Sequence, residues 1–153
     1  MTIDAAFKKI DRYLKKENIG PLVVDVQNQI DLDAIVTHYD LPQNSFIYAS
    51  DSKFCKTDEF PSMAALLNFL EKGTEVYFVR EISSFFHMMG EKELKQALTE
   101  LFSVNSSGHV VILTYQCEAF LNAIIKSDRR LGERTCIVEG EKTEFPQFIF
   151  TEK

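Results

Sequence analysis

No CxxC or CxxH pair occurs in this sequence, and its three cysteines, Cys55, Cys117 and Cys136, stand far apart. Cysteine-held zinc needs closely paired ligands, so the spacing argues against a zinc site. An odd number of separated thiols is no disulfide framework either, and free thiols in a reducing cytoplasm are expected. No apolar run approaches the roughly 20 residues that cross a bilayer. The opening stretch MTIDAAFKKIDRYLKK is charged throughout and lacks the apolar core of a secretion signal. A cytoplasmic location is therefore expected. Positive charge is also in short supply: 17 Lys and Arg against 23 Asp and Glu leave a formal net charge of −6. Affinity for nucleic acid or an anionic membrane rests on many cations, so wholesale binding of either kind is disfavoured. No internal repeat, low-complexity tract or linker divides the chain.

What is present is an ordinary globular composition, with 153 residues, 45% of them hydrophobic and 26% charged. A chain of this size buries roughly 70% of its unfolded surface and builds a core without staples. One domain over residues 1–153 is predicted, with an N-terminal helix over 1–18 and a sheet core over 20–153. Ile3, Phe7, Ile10 and Leu14 recur at helical spacing. PLVVDV reads as a buried strand, DLDAIVTHY as a helix and SFIYAS as a second strand; DSKFCKTDEF reads as a polar loop. SMAALLNFLEK has helical periodicity between Pro61 and Gly73. EVYFV, HVVILTY and RTCIVEG read as further strands, and EKELKQALTELF and EAFLNAIIK as the helices between them. FPQFIFTEK reads as an edge strand, because Pro146 cannot donate to a ladder.

Strands alternating with helices predict a three-layer α/β/α fold with a mainly parallel sheet of five to six strands. Ligands of such sheets sit beyond the carboxyl ends of the strands. Those ends carry Asp25 to Asn28, Ser50 to Ser52, Arg80 with Glu81, and Thr114 to Gln116. Asp25, Asp51 and Glu81 are carboxylates of the kind that hold Mg²⁺. Acids after strands also serve as helix N-caps, however, and Arg80 would oppose a cation beside Glu81. His38, His87 and His109 do not pair at metal-ligand spacing. No metal and no cofactor are expected.

VVDVQN, Val23 to Asn28, resembles the first strand of the isochorismatase-type cysteine hydrolases, which use an Asp, a Lys and a nucleophilic Cys. That resemblance implies Asp25 and Cys117 as catalytic residues, Cys117 at a helix N-terminus that would lower a thiol's pKa. Arg80 stands where the Lys would be, and arginine cannot trade protons as lysine does.

The order of elements from Glu75 to Gly140 resembles the second half of an AAA+ P-loop ATPase core. EVYFVREI is similar to a Walker B strand, GHVVILTYQ to a sensor 1 strand, and NAIIKSDRRLGERTCIVEG to the helix, arginine turn and fifth strand that follow. The resemblance implies a P-loop NTPase-like sheet, here without a helical lid after Gly140. Glu81 matches the catalytic acid of Walker B, with Arg80 in place of the preceding Asp, and Thr114 or Gln116 matches the sensor. A Walker A loop needs glycines, a Lys and a Ser or Thr. The first strand is followed instead by DVQNQIDLDAI, where Asp25, Asp31 and Asp33 would repel a triphosphate.

The chain is thus similar to the N-terminal pseudo-ATPase segments ahead of active domains in larger bacterial and plastid AAA+ proteins. The expectation is a non-catalytic domain that contacts a protein partner or an adjoining domain. Arg129, Arg130 and Arg134, in the turn DRRLGER, are its candidate partner-binding residues, since Arg suits interfaces and carboxylate recognition. Two alternatives are a hydrolase using Asp25, Glu81 and Cys117, and a weak nucleic-acid-binding module using the N-terminal lysines with the three arginines.

Overall fold

The computed structural model describes residues 1–15, 20–41, 47–49, 54–55, 68, 70–71, 76–79, 91–104 and 108–142. The first helix, α1 (Ile3–Lys15), buries Ala6, Ile10 and Tyr13 on one stripe. Asp4 in its first turn and Arg12 and Lys15 in its last complement the helix dipole. Strand β1 (Leu22–Val26) is buried along its whole length, as a central parallel strand covered on both faces must be.

Only Gln27 and Asn28 separate β1 from α2 (Gln29–His38). Asn28 is the N-cap, and its side-chain oxygen accepts the Asp31 N–H at 2.9 Å. The chain then forms β2 (Ile47–Ala49), β3 (Phe54–Cys55), β4 (Val76–Val79), α3 (Glu91–Phe102), β5 (His109–Tyr115) and α4 (Glu118–Ser127). A 3-10 turn over Arg129–Arg134 leads into β6 (Thr135–Ile137).

The sheet order is β3-β2-β4-β5-β1-β6. The four strands β4, β5, β1 and β6 are parallel, whereas β2 runs antiparallel to β4, and β3 antiparallel to β2. The α/β class with a parallel sheet matches the sequence reading. Two features differ from it. Phe54 and Cys55, expected inside a polar loop, form a two-residue strand paired to β2. The strand β6 is also shorter than the expected RTCIVEG, because Arg134 belongs to the preceding turn and Val138 to Gly140 lie beyond its end. The expected FPQFIFTEK strand, and all but Asn68, Leu70 and Glu71 of the expected SMAALLNFLEK helix, lie outside the described residues.

Helices α1 and α2 share one core with Leu22, Val24 and Val26 of β1 and with Val111, Leu113 and Tyr115 of β5. Successive side chains alternate across a strand, so Val23 and Asp25 face the other side. There Asp25 meets the first turn of α4, which packs on α3. From β1 the chain leaves toward the β2 edge; from β5 it crosses β1 to reach β6. The crevice between the carboxyl ends of β1 and β5 is therefore the topological switch point of the sheet, where open α/β sheets bind ligands.

Candidate functional site

Asp25 sits opposite Thr114 in the β1–β5 register, with no exposed surface. Its Oδ1 accepts the Thr114 hydroxyl at 2.6 Å and the Cys117 backbone N–H at 2.9 Å. Its Oδ2 accepts the Gln27 side-chain amide at 2.9 Å. Burial pushes the Asp25 carboxyl above its ordinary range, against these three hydrogen bonds and with nearby Glu118 adding to the rise. The donors are paired because leaving one unmade in a dry interior costs about 1–3 kcal/mol.

A second link crosses the same crevice. Gln116 donates its backbone N–H to Val26 O at 2.9 Å and its side-chain amide to Gln27 O at 3.0 Å. Its φ of 52° lies in the left-handed region, which costs a non-glycine residue on the order of 1–3 kcal/mol. The two bonds to the β1 end hold it there. Gln27 is 3% exposed, and its Oε1 has no hydrogen-bond partner among the described residues.

The residues expected at a site divide into three groups. Asp25 and Cys117 do come together, but through the Cys117 backbone N–H. The thiol donates instead to Tyr115 O at 3.5 Å, and Cys117 is 1% exposed. Thr114 and Gln116 join the same cluster. Arg80, Glu81, Asp51 and His87 lie outside the described residues. His38 stacks on Phe7 with ring centroids 4.1 Å apart, and His109 meets Tyr13 edge-on at 5.1 Å. No group of three His, Cys, Asp or Glu able to hold a metal occurs among the described residues.

The N-terminus of α2, where a phosphate would dock on a P-loop protein, is occupied by the chain itself. Asn28 donates its amide to Glu141 O at 3.1 Å. Gly140 passes so close that a Cβ there would lie 2.7 Å from Asn28 Nδ2 and 3.1 Å from Asp31 Oδ2. The Asn28 cap was readable in the sequence as a capping residue followed three positions later by an acid. The bonds from Gln116 to Val26 and Gln27 span 90 and 89 positions and leave no local pattern.

The three arginines of the turn do different things. Arg129 and Arg130 are exposed. Arg130 makes a two-point contact with Asp128, both distances 3.1 Å, which holds the Asp128 carboxyl below its ordinary range. Arg134 reaches inward, donating to Phe102 O at 3.1 Å and lying 5.5 Å over the Phe102 ring. It caps the last carbonyl of α3, as a cation at a helix C-terminus does. Lys9 of α1 donates to Gly132 O at 3.3 Å and Thr135 O at 2.8 Å, so the basic face of α1 adjoins the arginine turn.

With this geometry in hand, comparison with known proteins adds one result. The chain belongs to the family described as a domain of unknown function (DUF7864), whose model matches residues 4–153. No curated protein and no solved structure matches it.

Proposed function

We propose that this chain is a non-catalytic α/β module, AAA+-like in the order of its elements, that works through contact with a protein partner or an adjoining domain. The observation that carries the reading is the two-residue connection, Gln27 and Asn28, between β1 and α2. A phosphate cradle wraps its ligand with successive backbone N–H groups of a glycine-rich loop. Two residues make no such loop. The Asp31 N–H in the first turn of that helix is taken by the Asn28 side chain, and Gly140 and Glu141 lie against the same helix end.

The strand succession supports the AAA+ resemblance. In the sheet, β1 lies between the sensor-like β5 and β6, and the Walker B-like β4 lies beyond β5. The antiparallel β2 departs from that pattern. The buried state of Asp25 and Cys117 favours the module over a thiol hydrolase, since a nucleophile must be reached by its substrate.

Arg129 and Arg130 form the partner-facing part of the arginine turn, and Arg134 supports it from within. The test is affinity capture from native lysate, comparing the wild-type protein with an Arg129→Glu/Arg130→Glu variant. The reading predicts an unchanged melting temperature and a captured protein that the variant loses. Equal capture by both proteins would remove the arginines from the interface.

A further inference from the structure

The hydrogen bond between Gln27 and Asp25 joins two groups that each have a second way to pair. Gln27 Nε2 donates to Asp25 Oδ2 at 2.9 Å, while the other end of the same amide, Oε1, is buried without a partner among the described residues. A buried acceptor left unpaired is uncommon in a folded protein. The Gln27 backbone is held in place, since its carbonyl accepts the Gln116 side-chain amide at 3.0 Å. The last torsion of a glutamine is broad and roughly two-fold, and the two ends of its amide are alike in shape. Exchanging them needs no added space.

No described cation offsets the Asp25 charge. From β5 the carboxyl receives the Thr114 hydroxyl, and from α4 the Cys117 backbone N–H. From β6 the residue in register with it is Ile137. The two buried thiols face elsewhere: Cys117 donates to Tyr115 O, and Cys136 lies in the core on the opposite face. Among the described residues, the one charged group acting on Asp25 is Glu118 of α4, which adds to the rise that burial causes.

A proton decides which end of the amide belongs beside Asp25. Against an ionised carboxyl Nε2 is the matching end, because Oε1 would set acceptor against acceptor. Once Oδ2 carries a proton, the same orientation leaves two groups unpaired, the new O–H and Oε1. The turned amide joins those two and leaves Nε2 alone without a partner. Each buried group left unpaired is costly, so the turned amide wins.

We propose that Asp25 and Gln27 form a proton-operated latch, in which protonation of Oδ2 turns the Gln27 amide over so that Oε1 accepts the Asp25 O–H. The step takes one proton from solvent. It breaks the hydrogen bond from Nε2 to Oδ2 and makes one from Oδ2 to Oε1. Hydrogen bonds to an ion are roughly twice as strong as neutral ones, so the ties from Asp25 to Thr114 and Cys117 slacken together. The proton thus trades part of the hold on α4 for a hold on Gln27. The latch does not depend on what the domain contacts.

The experiment is nuclear magnetic resonance of the intact, isotope-labelled protein, titrated from mildly alkaline to acidic pH while its circular dichroism stays native. The Asp25 Cγ signal should titrate with a midpoint above 3.8. At the same midpoint the bonded Gln27 side-chain proton should move upfield, as it loses its acceptor. Gln27 Cδ should move downfield, as Oε1 gains a donor. In Asp25→Asn, whose side-chain N–H donates to Oε1, the Gln27 signals should stay near their acid positions at every pH. If that variant does not fold, the wild-type titration decides alone. A Gln27 proton that shifts while Cδ stays still would mean that charge is lost without a turn, and would overturn the latch. So would Gln27 signals that ignore the Asp25 titration, a midpoint at or below 3.8, or acid unfolding before Asp25 binds its proton.

Discussion

Asp25 Oδ1 accepts the Cys117 backbone N–H at 2.9 Å, so a carboxylate of the central strand holds the first residue of the helix that leaves the neighbouring strand. The same oxygen holds Thr114, and the other oxygen holds Gln27. The Asp25 carboxyl is thereby spent on joining β1 to β5 and α4.

Removing this carboxyl leaves three buried donors without an acceptor. Asp25→Ala should destabilise the fold by roughly 3–5 kcal/mol, the range for breaking a buried charged network. Asp25→Asn should cost only about 1–2 kcal/mol, because Gln27 can turn its amide over and accept from the new side-chain N–H. Urea unfolding of the three proteins measures both values. Equal losses for Ala and Asn would mean that the hydrogen bonds are not what the carboxyl supplies.

The pH dependence carries a definite sign. Burial raises the Asp25 pKa above its ordinary 3.8, so the folded state binds this proton more tightly than the unfolded state. Its contribution is then least unfavourable below 3.8, falls as pH climbs toward the raised value, and is flat above it. The stability difference, wild type minus Asp25→Asn, should therefore decrease with rising pH across that window. A difference that increases with pH would mean that the three donors outweigh burial and hold the carboxyl ionised.

Cys117 and Cys136 are free and buried. Burial pushes the Cys136 thiol up to about 11, which leaves little thiolate at neutral pH. Iodoacetamide at neutral pH should label neither residue in the native protein and both after unfolding, as read by peptide mass spectrometry. Cys117→Ser should fold with a change within about 1 kcal/mol, since serine suits the N-cap position that Cys117 holds. Rapid native labelling of Cys117 would reopen the thiol hydrolase reading.

Several of these relationships could be read from the chain and several could not. HVVILTY was legible as β5 to the residue because six consecutive apolar or β-branched positions, Val110 to Tyr115, follow the turn NSSG. The stripe of α1 was legible for the same kind of reason, a single period sustained over thirteen residues. Phe54–Cys55 was not, because two residues cannot establish a strand period and their flanks are polar. In DRRLGER the three arginines look alike in sequence. Only the fold separates Arg134, which caps α3, from Arg129 and Arg130, which face solvent. The contacts of Lys9 span 123 and 126 positions, so nothing local announced that α1 and the arginine turn form one surface.

Gly20 provides a test of that inward arginine. Its φ is +115°, and a Cβ at this position would overlap the Arg134 guanidinium. Gly20→Ala should cost about 2 kcal/mol or more, from left-handed strain and displacement of Arg134 together. In an Arg134→Ala background the same substitution should cost distinctly less, leaving the backbone part alone. A double-mutant cycle reads the difference. Strict additivity would mean that Arg134 is not packed against Gly20.

The central claim, that the β1–α2 connection has no room for phosphates, is tested most directly by calorimetric titration of the intact chain with magnesium–ATP. With only Gln27 and Asn28 between the strand and the helix, and Asn28, Gly140 and Glu141 closed over the helix end, no binding heat should be measurable. Saturable binding at about micromolar affinity, near −8 kcal/mol, would contradict the account and require a phosphate site elsewhere in the fold.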